Sequence, residues 1–149
     1  MIHSTTDNLI STLNVLIDAC KNGEKGYREA AEGVNNAYFQ IRLNEYARHR
    51  ALFASELQAL VRRLGGDPDR KGTVAGSLHR GWMNLKAAIA GRNDDAILAE
   101  CCRGEEAALR HFEEAFVLDL PPAVHAAVEH QRNTIKESIE HLKAMESHA

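Results

Sequence analysis

Apolar residues recur every three or four positions along nearly the whole chain, the period of a helix with one buried face. The first stretch reads Leu9, Ile10, Leu13, Leu16, Ile17, Cys20, Tyr27, Ala31 and Val34. With Thr6 or Asp7 as its cap, it predicts a helix over about 5–34. Gly23 and Gly26 weaken that helix by roughly 1 kcal/mol each relative to alanine, and mark either a bend or a close approach of backbone. Asn35 and Asn36 break the pattern and cap a second helix over about 37–64. Its stripe is Phe39, Leu43, Tyr46, Ala47, Phe53, Ala54, Leu57, Leu60, Val61 and Leu64, and Gly65-Gly66-Asp67-Pro68 ends it.

Thr73 then caps a shorter helix over about 74–90, with Val74, Leu78, Trp82, Leu85 and Ile89 on one face. Trp82 is expected to pack across the side or end of the fold, with a dimer contact as the alternative. A further long helix, about 94–118, opens on Asn93-Asp94-Asp95, acidic as a helix start prefers. The last, about 122–146, begins at Pro121-Pro122. Two long helices joined tightly, a long connection with its own short helix, and two more long helices define an all-α fold. The expected architecture is a ferritin-like, up-down four-helix bundle with a long crossover, in one domain spanning 1–149.

Three charges fall on the stripes. Arg50 lies between Tyr46, Ala47, Phe53 and Ala54; Glu24 lies between Cys20 and Tyr27; Glu105 lies between Cys101, Cys102, Ala108 and Phe112. An interior charge is costly unless it is paired. The pattern therefore predicts an interior polar cluster of Arg50 with Glu24 and Glu105. Tyr27, Tyr46, Gln131, Thr134 and Ser138 supply the remaining hydrogen bonds. Plainer readings stay open: Arg50 reaching the edge with only its stem buried, Glu24 facing solvent, and Glu105 exposed beside Glu106.

Composition narrows function mainly by exclusion. A formal net charge of −3 gives no general attraction to nucleic acid. No apolar run approaches the roughly 18 residues of a membrane span. The start lacks the basic and apolar regions of a signal peptide, so the expected location is the cytoplasm. Three cysteines, Cys20, Cys101 and Cys102, form no metal-binding motif and read as reduced core fillers. The set Arg62, Arg63, Arg70, Lys71, His79 and Arg80 gives the crossover a basic edge that reads as solvated surface. With no phosphate-binding glycine loop and no nucleophile–base arrangement, no catalytic residue is assigned.

Several segments carry a family resemblance: Leu9-Ile10-Ser11-Thr12-Leu13-Asn14, Glu24-Lys25-Gly26-Tyr27-Arg28-Glu29-Ala30-Ala31, Val61-Arg62-Arg63-Leu64-Gly65-Gly66 and, most specific, Leu78-His79-Arg80-Gly81-Trp82. The chain resembles an uncharacterised bacterial family, a four-helix-bundle domain of unknown function within the ferritin-like superfamily. The resemblance implies a fold but no activity. Metal-binding members of that superfamily hold two ions with single glutamates and Glu-x-x-His pairs. No Glu-x-x-His occurs here. Set against their pattern, Cys20 takes one ligand position, or Glu24 if the first helix shifts by a turn. Arg50 and Phe53 take two more, Glu105 keeps a carboxylate, and Gln131 and Thr134 fall where Glu and His would stand.

The resemblance thus implies a bundle that has lost its di-metal centre, with no cofactor. The expected role is structural, stress-related or interaction-based rather than enzymatic. The alternative is an iron-storage or di-iron oxidoreductase relative holding iron or manganese through Glu105, Glu24 and Cys20. A homo-oligomer, in the simplest case a dimer, is expected, and a protein partner at the crossover helix and its basic edge is a third reading.

Overall fold

The helix stops written in the sequence decide how the stripes meet. A computed structural model describes residues 2–70 and 80–146, and among them the chain is all-helical. The helices are α1 (Ile2–Gly33), α2 (Ala37–Arg63), α3 (Leu85–Ala90), α4 (Asp94–Ala115) and α5 (Pro122–Glu146). No helix is long and apolar enough among the described residues to cross a membrane.

Asn36 caps α2 by accepting from the Phe39 amide at 3.1 Å, as its side chain favours. Gly65, at φ +86°, ends α2 in a Schellman turn: its amide donates to Arg62 and the Gly66 amide donates to Val61, both at 3.0 Å. The short link at 34–36 makes α1 and α2 antiparallel neighbours. Asp94 then ties the start of α4 to that same link. Its carboxylate accepts from the Asn35 and Asn36 amides at 2.9 and 3.0 Å. The long connection therefore returns the chain to the end from which α2 departs, and α2 and α4 run the same way.

The direction of α5 follows from its bonds to α2. Gln131 reaches Phe53, Ser138 reaches Arg50, and His141 reaches Arg42, so numbers rise on one helix as they fall on the other. Packing runs α1 on α2, α2 on α5, α5 on α4 and α4 on α1, a closed circuit around one helical-bundle core. Leu13, Leu16, Leu43, Leu57, Leu98, Phe112, Ile135 and Leu142 are fully buried in it. Each contributes about 1.5–3 kcal/mol of apolar burial.

Several expected boundaries move. α1 begins at Ile2 rather than near residue 5, and it runs unbroken past Gly23 and Gly26. The long helix expected to reach 118 stops at Ala115. Its end tightens into three-residue hydrogen bonds at Phe116, Val117 and Leu118, where Val117 is exposed and gains nothing from continuing. The short helix expected over 74–90 is helical only at Leu85–Ala90 in its later part. Turns occupy 81–84 from Gly81 onward, while Thr73, Val74, Leu78 and the rest of 71–79 lie outside the described residues.

Candidate functional site

α2, α4 and α5 bring one ion pair to the middle of the bundle. Arg50 and Glu105 are each 1% exposed. The Arg50 Nε donates to Glu105 Oε1 at 3.2 Å, and Nη2 donates to Glu105 Oε2. This two-point geometry suits a planar guanidinium and engages both carboxylate oxygens. Nη2 also donates to Ser138 Oγ at 3.2 Å, and that hydroxyl in turn donates a hydrogen bond to the Thr134 carbonyl at 3.0 Å. Burial by itself lowers the Arg50 pKa, but the charge of Glu105, the field of Tyr27 and the Glu105 hydrogen bond together raise it. The guanidinium stays charged.

Aromatic rings close around the cation. Its carbon stands 5.8 Å from the Tyr27 ring centre and 5.5 Å from that of Phe53, within cation–π range. Tyr27 packs at 5.4 Å against Tyr46, and Phe53 lies between His49 and His130. Burial, and then the negative charge of Glu105, pushes the Tyr27 hydroxyl well above its ordinary range. Three buried polar atoms around this centre, Tyr27 Oη, Arg50 Nη1 and Gln131 Oε1, make no hydrogen bond of normal geometry.

The other residues singled out from sequence divide by position. Gln131 is buried on α5, and its Nε2 donates to the Phe53 carbonyl at 3.5 Å. Tyr46 is buried, but its hydroxyl receives Arg42 rather than Arg50, at 3.4 Å. Thr134 is half-buried and bonds its own helix at His130. Glu24 stands apart from Arg50: its side chain is 31% exposed and pairs with Arg28 at 2.9 Å. Arg28, one turn further along α1, offers a partner at the edge that needs no burial.

All three cysteines are free and buried. Burial raises Cys20 to about 12 and Cys102 to about 11, and it pushes Cys101 well above its ordinary value. At neutral pH they are thiols rather than thiolates. For Cys20 the folded value lies above the ordinary 9.0. Its contribution to stability is therefore whole below pH 9 and is lost as pH rises toward about 12. The expected outcome with a disulfide reagent at pH 7.5 is no native-state release from Cys20 or Cys101, and full release in denaturant.

Trp82 packs across the side of the fold, as its pattern predicts, but pattern alone does not join it to Gly26 and Gly104. Trp82 lies edge-on to Tyr27 at 5.2 Å, which joins the crossover to the aromatic shell of Arg50. Its indole rests on Gly26 of α1 and Gly104 of α4, where a Cβ on either residue would overlap the ring. Nearby, Gly23 leaves room for the Arg50 stem: a Cβ there would meet Arg50 Cγ at 3.2 Å. Gly23 and Gly26 thus mark close approaches, not a bend. The available signal for Gly104 was its cost, about 1 kcal/mol in a helix interior flanked by core positions.

The fold and site define an all-helical bundle with a buried arginine–glutamate pair. The sequence pattern of a domain of unknown function, DUF2383, matches residues 8–117, and the chain belongs to that family. No curated protein matches the chain.

Proposed function

We propose that this is a bacterial ferritin-like bundle in which the Arg50–Glu105 pair replaces a di-metal centre, and that it works in the cytoplasm as a structural or interaction protein rather than an enzyme. The up-down-down-up course of the four long helices supports the ferritin-like reading. The observation that carries the rest is a fully buried guanidinium holding both oxygens of Glu105. A fixed positive charge at that point repels a metal cation, and it occupies the central carboxylate that would bind one.

The surrounding donor set points the same way. Cys20 keeps its proton, and Glu24 is committed to Arg28 at the edge. Among the described residues, no three His, Cys, Asp or Glu side chains converge as a metal requires. These residues do not fit a di-iron or di-manganese centre.

Elemental analysis of protein purified from iron- and manganese-supplemented culture tests the reading. The expected result is metal far below one ion per chain, unchanged by Glu105→Gln. Near-stoichiometric iron or manganese that disappears with Glu105→Gln would establish the metalloprotein instead.

A further inference from the structure

On the side of α2 turned away from the core, Ile41 and Leu52 remain 59% and 57% exposed. They belong to a stripe: Ile41, Glu45, Arg48, Leu52, Ser55 and Ala59 follow one another at alternating steps of four and three. That spacing sets the six side chains in one line along the outside of α2, with Ile41 and Leu52 as its large apolar members and Glu45 and Arg48 between them. The core-facing stripe of the same helix, including Leu43, Ala47, Arg50, Ala54 and Leu57, is already satisfied within the chain. α2 therefore carries two stripes, and among the described residues only one is covered.

The outer stripe specifies its occupant. When two copies of α2 meet antiparallel about a point between Glu45 and Arg48, Ile41 falls against the partner's Leu52. Glu45 falls against the partner's Arg48, and the two-fold axis repeats both contacts. Parallel, in-register pairing would instead oppose Glu45 to Glu45 and Arg48 to Arg48. Like charges reject that arrangement while opposite charges accept the first. Glu45 also receives Arg42 of its own chain at 3.0 Å, so in the dimer its carboxylate is shared between Arg42 and the partner's Arg48. From Ile41 to Leu52, the part of the stripe that this register lays against itself, the contact runs about 17 Å along the helix.

We infer that the protein forms a two-fold antiparallel homodimer through the outer face of α2, with Ile41 and Leu52 as apolar contacts and Glu45–Arg48 pairs setting the register. The inference is independent of the metal question, since it uses only residues on the outside of the bundle.

Sedimentation equilibrium of the full chain tests it. The wild-type protein is expected to be a dimer. Glu45→Arg and Arg48→Glu, each alone, turn two attractive contacts into repulsive ones and should weaken it at least about tenfold. Mixing the two single variants should restore a dimer made of one copy of each, because both new pairs are then complementary. Leu52→Lys, which leaves the Arg42–Glu45 pair untouched, should weaken the dimer without changing helix content by circular dichroism. A wild-type chain that sediments as a monomer overturns the inference. So does a dimer that survives both charge reversals, or single variants that fail to associate on mixing.

Discussion

An Arg50→Met protein that keeps Glu105 is expected to lose about 3–5 kcal/mol of stability. For a chain of this size that is a fall in Tm on the order of 10–20 °C. The loss does not measure the attraction between the two charges. The pair has little net value, because taking both groups out of water offsets most of what their contact returns. Methionine fills most of the arginine stem's volume, so cavity formation is a small part of the effect. What remains is a carboxylate that is 1% exposed, with Tyr27 beside it and no cation.

The double variant Arg50→Met/Glu105→Leu separates these contributions. With both charges gone and the volume roughly kept, stability should return close to wild type or exceed it. Thermal unfolding of the wild type, the two single variants and the double gives the coupling directly. A single Arg50→Met that unfolds at the wild-type temperature would mean that Glu105 finds another partner or takes up a proton. The pair would then not be the organising feature of the interior.

The helices were largely legible because nearly every stripe keeps one period from cap to stop. Arg50 and Glu105 were legible for the same reason: an interior position on a regular stripe holds its direction whatever residue occupies it. Glu24 obeyed the same spacing and still reached the edge. Period fixes an angular sector, and a long side chain at its margin goes where a partner is available, here Arg28 at 2.9 Å. Ser138 was visible on the last stripe, but its double role between Arg50 and the Thr134 carbonyl depends on how far α5 slides along α2. No single helix encodes that offset. The Asp94 tie to the Asn35 and Asn36 amides is hidden in the same way. Its acidity was read as a local helix start, while its carboxylate closes a contact between segments far apart in sequence.

Trp82 shows most clearly what one-dimensional pattern leaves out, and it leads to the second large effect. Gly26, Gly104 and Trp82 each look unfavourable or neutral alone, since two glycines weaken two helices and a large ring stands on a turn. Together they make a slot with an indole in it. Gly104→Ala is expected to destabilise the native protein by about 1–3 kcal/mol, because the new methyl overlaps a ring that cannot shift without disturbing Tyr27. The same substitution in a Trp82→Ala background should change sign. With the indole absent there is nothing to overlap, and alanine stabilises a helix interior by about 1 kcal/mol over glycine. A double-mutant cycle in urea therefore predicts a coupling of roughly 2–4 kcal/mol between the two positions, the difference between those effects. If Gly104→Ala is equally harmful with and without the indole, close helix approach rather than Trp82 demands the glycine. If the sign reverses, the crossover is fastened to α1 and α4 by this ring, and the Tyr27 wall beside Arg50 depends on it.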